Sequence, residues 1–265
     1  MKIIPITVRP TVLFLGDIDH VDFRVAAGLL RRDADAATTD RSPELIVVAH
    51  SRPGSTGSHS AESLRREAPL AGLAVLAGSW CEGELRTGRP WSGVHRLYWY
   101  EFAAWWQRQL KLRRAGSCPD WCRPEESVGT MGAFPQIPSR RPSGTILLNA
   151  DFSTSEYLAD VFHVAGYTPI RAAGMSTRSI RGARAAIWDG GQLSQNEERD
   201  LSRLCAAVAI DRIPVVALLD FPRRDRVERA IEIGASAVVG KPWRNSNLLA
   251  TIEAVGVPAS LPIAA

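Results

Sequence analysis

Three side chains that lie far apart in the sequence have the types for one piece of chemistry: Asp151, Asp189 and Lys241. Each lies at or just past the end of a short apolar run, ILLN before Asp151, AAIW before Asp189 and AVVG before Lys241. Carboxylates are hard oxygen donors of the kind Mg²⁺ takes. One of them can act as a nucleophile toward a phosphoryl group and give an acyl phosphate. An ammonium pairs with a phosphate oxygen as a point charge. Together they are the set that Mg²⁺-assisted phosphoryl transfer to an aspartate requires. The lysine is the more informative because the chain otherwise writes its positive charge as arginine, with lysine only at Lys2, Lys111 and Lys241. Each residue also has a plain structural reading. Asp151 can cap a following helix, Asp189-Gly190-Gly191 can be a turn, and Lys241-Pro242 can be a loop.

The elements that would position these groups are clearest in residues 144–257. Thr145–Asn149 suits a buried strand, and Ser153 with Glu156 forms a capping box ahead of Leu158, Val161, Phe162 and Ala165 at helical spacing. Gly166 ends that helix. Strands follow over 167–172, 185–188, 213–219 and 235–240, with helices over about 194–208, 223–233 and 245–255 between and after them. Strand and helix alternate five times, which predicts a parallel sheet with helices on both faces. Such sheets bind ligands beyond the carboxyl ends of their strands, where Asp151, Asp189 and Lys241 would stand.

Residues 9–115 repeat the rhythm less cleanly, with strands at 12–15, 44–49, 73–77 and 95–100 and a helix carrying Phe102, Trp105, Trp106, Gln109 and Leu110 on one face. Residues 116–143 hold five prolines and no apolar period, and read as a linker. The chain therefore looks like a diverged internal duplication of one α/β module. Its 265 residues allow two domains of ordinary size, and 23% charged residues fit folded chains. The net charge of +4 lies in the first 143 residues, since residues 144–265 carry 13 basic and 13 acidic groups. It is too small to imply nucleic acid by itself. Four cysteines exclude a disulfide scaffold and fit a reducing compartment. No apolar run approaches the ~20 residues that cross a bilayer, and MKIIPITVRP does not read as a signal peptide, so no membrane and a cytoplasmic location are expected.

On ILLNADFS, on Asp189 closing strand 3, and on PVVALLD…AIEIGASAVVGKPW, residues 144–257 resemble the receiver domain of two-component response regulators, a chemotaxis-type, flavodoxin-like fold. The resemblance implies Asp189 as phosphoacceptor, Asp151 and Asp189 as Mg²⁺ ligands, and Lys241 as the phosphate contact. Three positions depart from the family. Ala150 replaces the first of two adjacent acids, Leu219 replaces a Thr or Ser hydroxyl, and Val238 replaces an aromatic switch residue. One carboxylate fewer should hold Mg²⁺ more weakly, and leucine cannot donate the hydrogen bond that reads out the phosphate. PELIVVAHSRPG at 43–54 resembles the family's strand 3, with Ala49 at the aspartate position, His50 beside it, and Asp17 left after strand 1. Residues 9–115 therefore read as a degenerate pseudo-receiver.

Two features fall outside that resemblance. Six of the eight tryptophans lie between Trp80 and Trp121, near Arg108, Lys111, Arg113 and Arg114. They suit a core, a partner-binding face, or stacking on nucleic-acid bases, although no nucleic-acid motif accompanies them. Cys118 and Cys122 are spaced C-x₃-C, but a structural zinc needs two more ligands. The expected protein is not an enzyme. It is an atypical response regulator with two flavodoxin-like, doubly wound parallel-sheet domains joined by a Pro-rich linker. It would accept a phosphoryl group on Asp189 from a histidine kinase or phosphotransfer protein and act on a downstream protein partner by contact. The alternatives are a phosphorylation-independent scaffold and, from another class, a nucleic-acid regulator using the Trp/Arg-rich region.

Overall fold

The computed structural model describes residues 9–55, 59–84, 91–122, 144–172 and 182–256. The chain divides into two units, Met1–Thr130 and Met131–Ala265. In the first, the apolar runs become β1 (Thr11–Gly16), β2 (Asp35–Ala36), β3 (Leu45–His50), β4 (Gly72–Ala77) and β5 (His95–Tyr98). The helices are α1 (Arg24–Asp33), α2 (Ala61–Glu67) and α3 (Phe102–Arg114). All strand pairs are parallel, in the order β2-β1-β3-β4-β5. β3 is central and buried at every position, which is why it reads LIVVAH without polar alternation. The two-residue β2 is too short to leave an apolar signal in the sequence.

α3 buries Phe102, Trp105, Trp106, Gln109 and Leu110, the face its spacing predicts. Trp106 stacks on Phe102 at 6.0 Å and on Trp121 at 5.8 Å. Trp105, Trp106 and Trp121 are thus core side chains, out of reach of a nucleic-acid base or a partner, while Trp80 is exposed. Trp121 also moves a boundary. The linker read at 116–143 begins too early, because Asp120–Cys122 forms a 3-10 turn whose Trp121 is only 3% exposed. Gly72 marks the seam: a Cβ there would lie 2.5 Å from the Trp121 carbonyl oxygen. Tertiary packing of one ring outweighs the proline-rich composition around it, and residues 117–122 belong with the first unit. Residues 123–143 lie outside the described residues.

The second unit contains β6 (Thr145–Asn149), α4 (Phe152–Ala165), β7 (Thr168–Arg171), β8 (Ala183–Asp189), α5 (Gln195–Ala209), β9 (Val215–Asp220), α6 (Arg224–Ile233), β10 (Ala237–Lys241) and α7 (Asn245–Val255). Its five parallel strands run β10-β9-β8-β6-β7, the same order read from the other edge. Both units therefore carry the 2-1-3-4-5 sheet of the flavodoxin-like fold, each with its own helices. Local signals end the helices where the sequence puts them. Ser194 and Glu197 form the capping box of α5, and Gly166 takes a left-handed φ of 92° after α4. The start of α4 differs from expectation: Asp151 is the N-cap, not Ser153, and the helix opens at Phe152.

Candidate functional site

β8 and β10 end at the same rim of the second sheet, and their last residues meet through β9. Lys241 pairs in register with Asp220, and Asp189 with Leu218. The Lys241 ammonium lies 2.8 Å from Asp189 Oδ1 and 3.0 Å from Asp220 Oδ1. Burial alone would pull the Lys241 pKa down; hydrogen bonds and charge from Asp189 and Asp220 outweigh it and raise the pKa above its ordinary value. The Asp189 side chain is 9% exposed and that of Asp220 42%. Asp189 is the last residue of the strand rather than part of a free turn, since Gly190 N continues the ladder to Leu218 O at 3.0 Å. The following backbone hugs the Trp188 indole, and a Cβ on Gly190 would strike that ring. Glu197, from the first turn of α5, closes the loop by accepting hydrogen bonds from Gly191 N at 2.5 Å and Ser194 N at 2.7 Å.

Asp151 goes elsewhere. Its Oδ1 accepts from Ser153 Oγ at 2.8 Å and Thr154 N at 2.9 Å, and its Oδ2 from Thr154 Oγ1 at 2.9 Å. Those bonds, led by the Thr154 backbone N–H, hold its pKa down at about 2. The structure thus joins two of the three residues singled out from sequence, adds Asp220, and spends the third on a helix end. Asp151→Ala should lower the unfolding midpoint of the second unit, and Asp151→Asn should restore most of it, as urea titration at neutral pH will show. The charged cap is present above the ordinary aspartate pKa near 3.8 and is lost as pH falls toward about 2.

These donors do not fit a resident Mg²⁺. Asp151 has both oxygens engaged in its own helix, and Asp189 gives one to Lys241. Among the described residues no group of three or more His, Cys, Asp or Glu side chains could hold a metal ion. The other two departures are apolar: Leu219 is 1% exposed and Val238 4%.

The same rim in the first unit is filled differently. Ala49 pairs with Leu76 and, with Leu45 and Val47, lines the core beneath α1, just as Asp189 pairs with Leu218 in line with Ala185 and Ile187. Ala49 therefore stands in register where Asp189 does, and His50 follows it on the opposite face of the strand, in line with Ile46 and Val48. His50 is 4% exposed, its Nε2 has no hydrogen-bond partner, and it meets Trp91 edge-on at 5.1 Å. Burial lowers its pKa and favours the neutral ring. Asp17 accepts a short hydrogen bond from Ser51 Oγ, which lowers its pKa. Across the rim, Arg96 and Glu84 form a buried pair at 2.5 Å, and Tyr100 donates to Glu82 Oε1 at 2.9 Å. Counting on from the Leu76–Leu97 pair, as Lys241 follows from Leu218–Val239, puts Trp99 at the place Lys241 holds in the second unit.

No helix among the described residues is long and apolar enough to cross a membrane. No protein-family model matches the sequence, and no curated protein matches it. Solved structures do. The signal receiver domain of a signal transduction histidine kinase from Syntrophus aciditrophicus is 21% identical, with 46% of this chain and 98% of that one covered and a TM-score of 0.35. An orphan response regulator of H. pylori is 23% identical over 43% of this chain and 98% of its own, with a TM-score of 0.35. A CheY-like protein from Pseudomonas aeruginosa PAO1 is 17% identical over 42% of this chain and 98% of its own, also with a TM-score of 0.35.

Proposed function

We propose that the chain is a receiver-like signalling protein that works by protein–protein contact without taking up a phosphoryl group. The second unit is its docking module, and the first is a companion with a degenerate rim. The observation that carries this reading is the second carboxylate on Lys241, from Asp220 at 3.0 Å. A phosphoryl oxygen arriving at Asp189 would have to displace Asp220 from the ammonium. Its donor would also approach past the exposed Asp220 charge, and like charges repel. Asp151 is committed to its helix cap, and Leu219 offers no hydroxyl to follow a phosphate. The trio instead holds the ends of β8, β9 and β10 in one arrangement, a fixed surface for a partner.

A second reading keeps Asp189 as phosphoacceptor for a histidine kinase or phosphotransfer protein. The 2.8 Å contact of Lys241 with Asp189 favours it, because that lysine already stands where a phosphate oxygen would need it. One experiment separates the two: treatment with acetyl phosphate and Mg²⁺, followed by intact mass measurement. The expected result is an unmodified wild type. A stable gain of about 80 Da that disappears in Asp189→Ala would replace the first reading by the second. Asp220→Ala adds a direct check, because removing the guard should raise any Asp189-dependent adduct.

A further inference from the structure

Residues 117–122 hold two thiols side by side on the first unit. Cys118 and Cys122 are both free and exposed, unlike Cys81, which is buried, and Cys205, which is half-buried. The turn that carries them is fixed from within. Trp121 is sunk in the core, and Asp120 is gripped by Gln109 through two hydrogen bonds, at 2.7 Å from the backbone N–H and 2.8 Å to Oδ2. His95 Nε2 lies 3.0 Å from the Asp120 carbonyl, and Cys122 N donates to Pro119 O at 3.0 Å, closing the turn between the two cysteines. Cys118 Sγ donates to Pro119 O at 3.4 Å, the same carbonyl that accepts from Cys122 N, so one turn of backbone draws both cysteines together. Among the described residues no third ligand completes a metal site with the pair. A held turn with adjacent sulfurs is what intramolecular exchange needs, because the second thiol then attacks without a search.

We propose that Cys118 and Cys122 are a redox-modifiable dithiol, which closes to a disulfide by exchange with a small-molecule disulfide such as oxidised glutathione. The Cys118 thiolate attacks one sulfur of the small disulfide, whose S–S bond breaks, and the first small thiolate leaves and is protonated. Cys122 then gives its proton to solvent and attacks the Cys118 sulfur, expelling the second small thiol. The protein is oxidised by two electrons and the small disulfide is reduced to two thiols. The order of attack follows from the surroundings. Burial first, then the charge and hydrogen bond of Cys118, then Glu44, push the Cys122 thiol up to about 11, so it is the poorer first nucleophile. Once Cys118 is capped, its charge no longer opposes ionisation of Cys122, and the second thiol is released to react.

The test uses the full chain with oxidised glutathione at mildly alkaline pH, then alkylation and mass spectrometry. Wild type should lose about 2 Da and yield a cross-linked peptide spanning 118–122. Cys122→Ser should stop at a lasting glutathione adduct on Cys118, and Cys118→Ser should react at least about tenfold more slowly. A wild type that stays unmodified, or keeps a glutathione adduct as long as Cys122→Ser does, overturns the proposal. Phenylarsine oxide, which bridges paired thiols, gives a second readout. One equivalent should be retained by wild type and none by either serine variant, and a wild type that retains none counts against the pair. Thermal unfolding of each variant checks that the turn is still folded.

Discussion

Raising the pH from 5 to 8 will weaken the first unit by about 3 kcal/mol, and Glu82→Gln will remove most of that loss. Glu82 follows β4 and sits half-buried beside Tyr100, Glu101, Arg96 and Tyr98. Desolvation is the dominant effect on it; the Tyr100 hydrogen bond and Arg96 favour its ionised form, the Glu101 charge opposes it, and its pKa ends at about 8. The sign follows from the two end states. Below the unfolded value near 4.5 both states hold the proton and the folded state loses nothing. Between about 4.5 and about 8 the unfolded chain releases the proton while the folded chain retains it, so stability falls as pH rises. The full shift corresponds to about 5 kcal/mol, and partial solvent contact brings the expected effect down to about 3. Glutamine keeps the acceptor for Tyr100 and has no proton to lose. Urea titrations at pH 5, 6.5 and 8 will decide it, and equal slopes for wild type and Glu82→Gln across that range would sink the assignment. His50 acts in the opposite direction: its lowered pKa contributes stability above its ordinary value near 6.5 that is lost as pH falls through it. In Glu82→Gln that residual acid sensitivity should be the dependence that remains.

Trp121→Ala will destabilise the first unit by about 3 kcal/mol, although residue 121 lies beyond the last helix of that sheet. The ring packs on Trp105 at 5.9 Å and Trp106 at 5.8 Å. Truncating a buried tryptophan costs about 3–5 kcal/mol. The lower end is expected here because the Trp121 indole N–H has no acceptor, so some desolvation cost is recovered. Gly72→Ala should act through the same seam, since its new Cβ meets the Trp121 backbone oxygen and Cβ at 2.5 and 2.6 Å. The double variant should cost little more than Trp121→Ala alone, because a segment already released cannot clash. Denaturation midpoints of the full chain, followed by near-UV circular dichroism, test all three. A Trp121→Ala cost under about 1 kcal/mol would return residues 117–122 to the linker.

Much of the fold was legible because its signals are local. Apolar runs such as ILLN and VVALL, the Ser194–Glu197 capping box and the Gly166 stop act within a few residues. What failed were choices settled by tertiary contact. Asp151 and Ser153 both qualify as caps by type, and only the hydrogen bonds from Thr154 decide between them. Asp220 was passed over as the tail of VVALLD. Like Asp189 it is an acid that ends a buried strand, and that local signal marks it for the rim. Trp121 was hidden by its prolines, since nothing local announces which ring will enter a core twelve or more residues back.

The trio at the end of the second sheet is electrically unbalanced. Asp189, Asp220 and neighbouring Glu197 bring three negative charges to one positive Lys241, and the surplus faces a rim where Asp220 meets water. A cationic side chain drifting nearby is drawn in, and an anionic one is turned away, over a range of about 10 Å at 0.1 M salt. The rate at which a basic partner arrives there will therefore fall as salt is added, even where the final contacts are apolar.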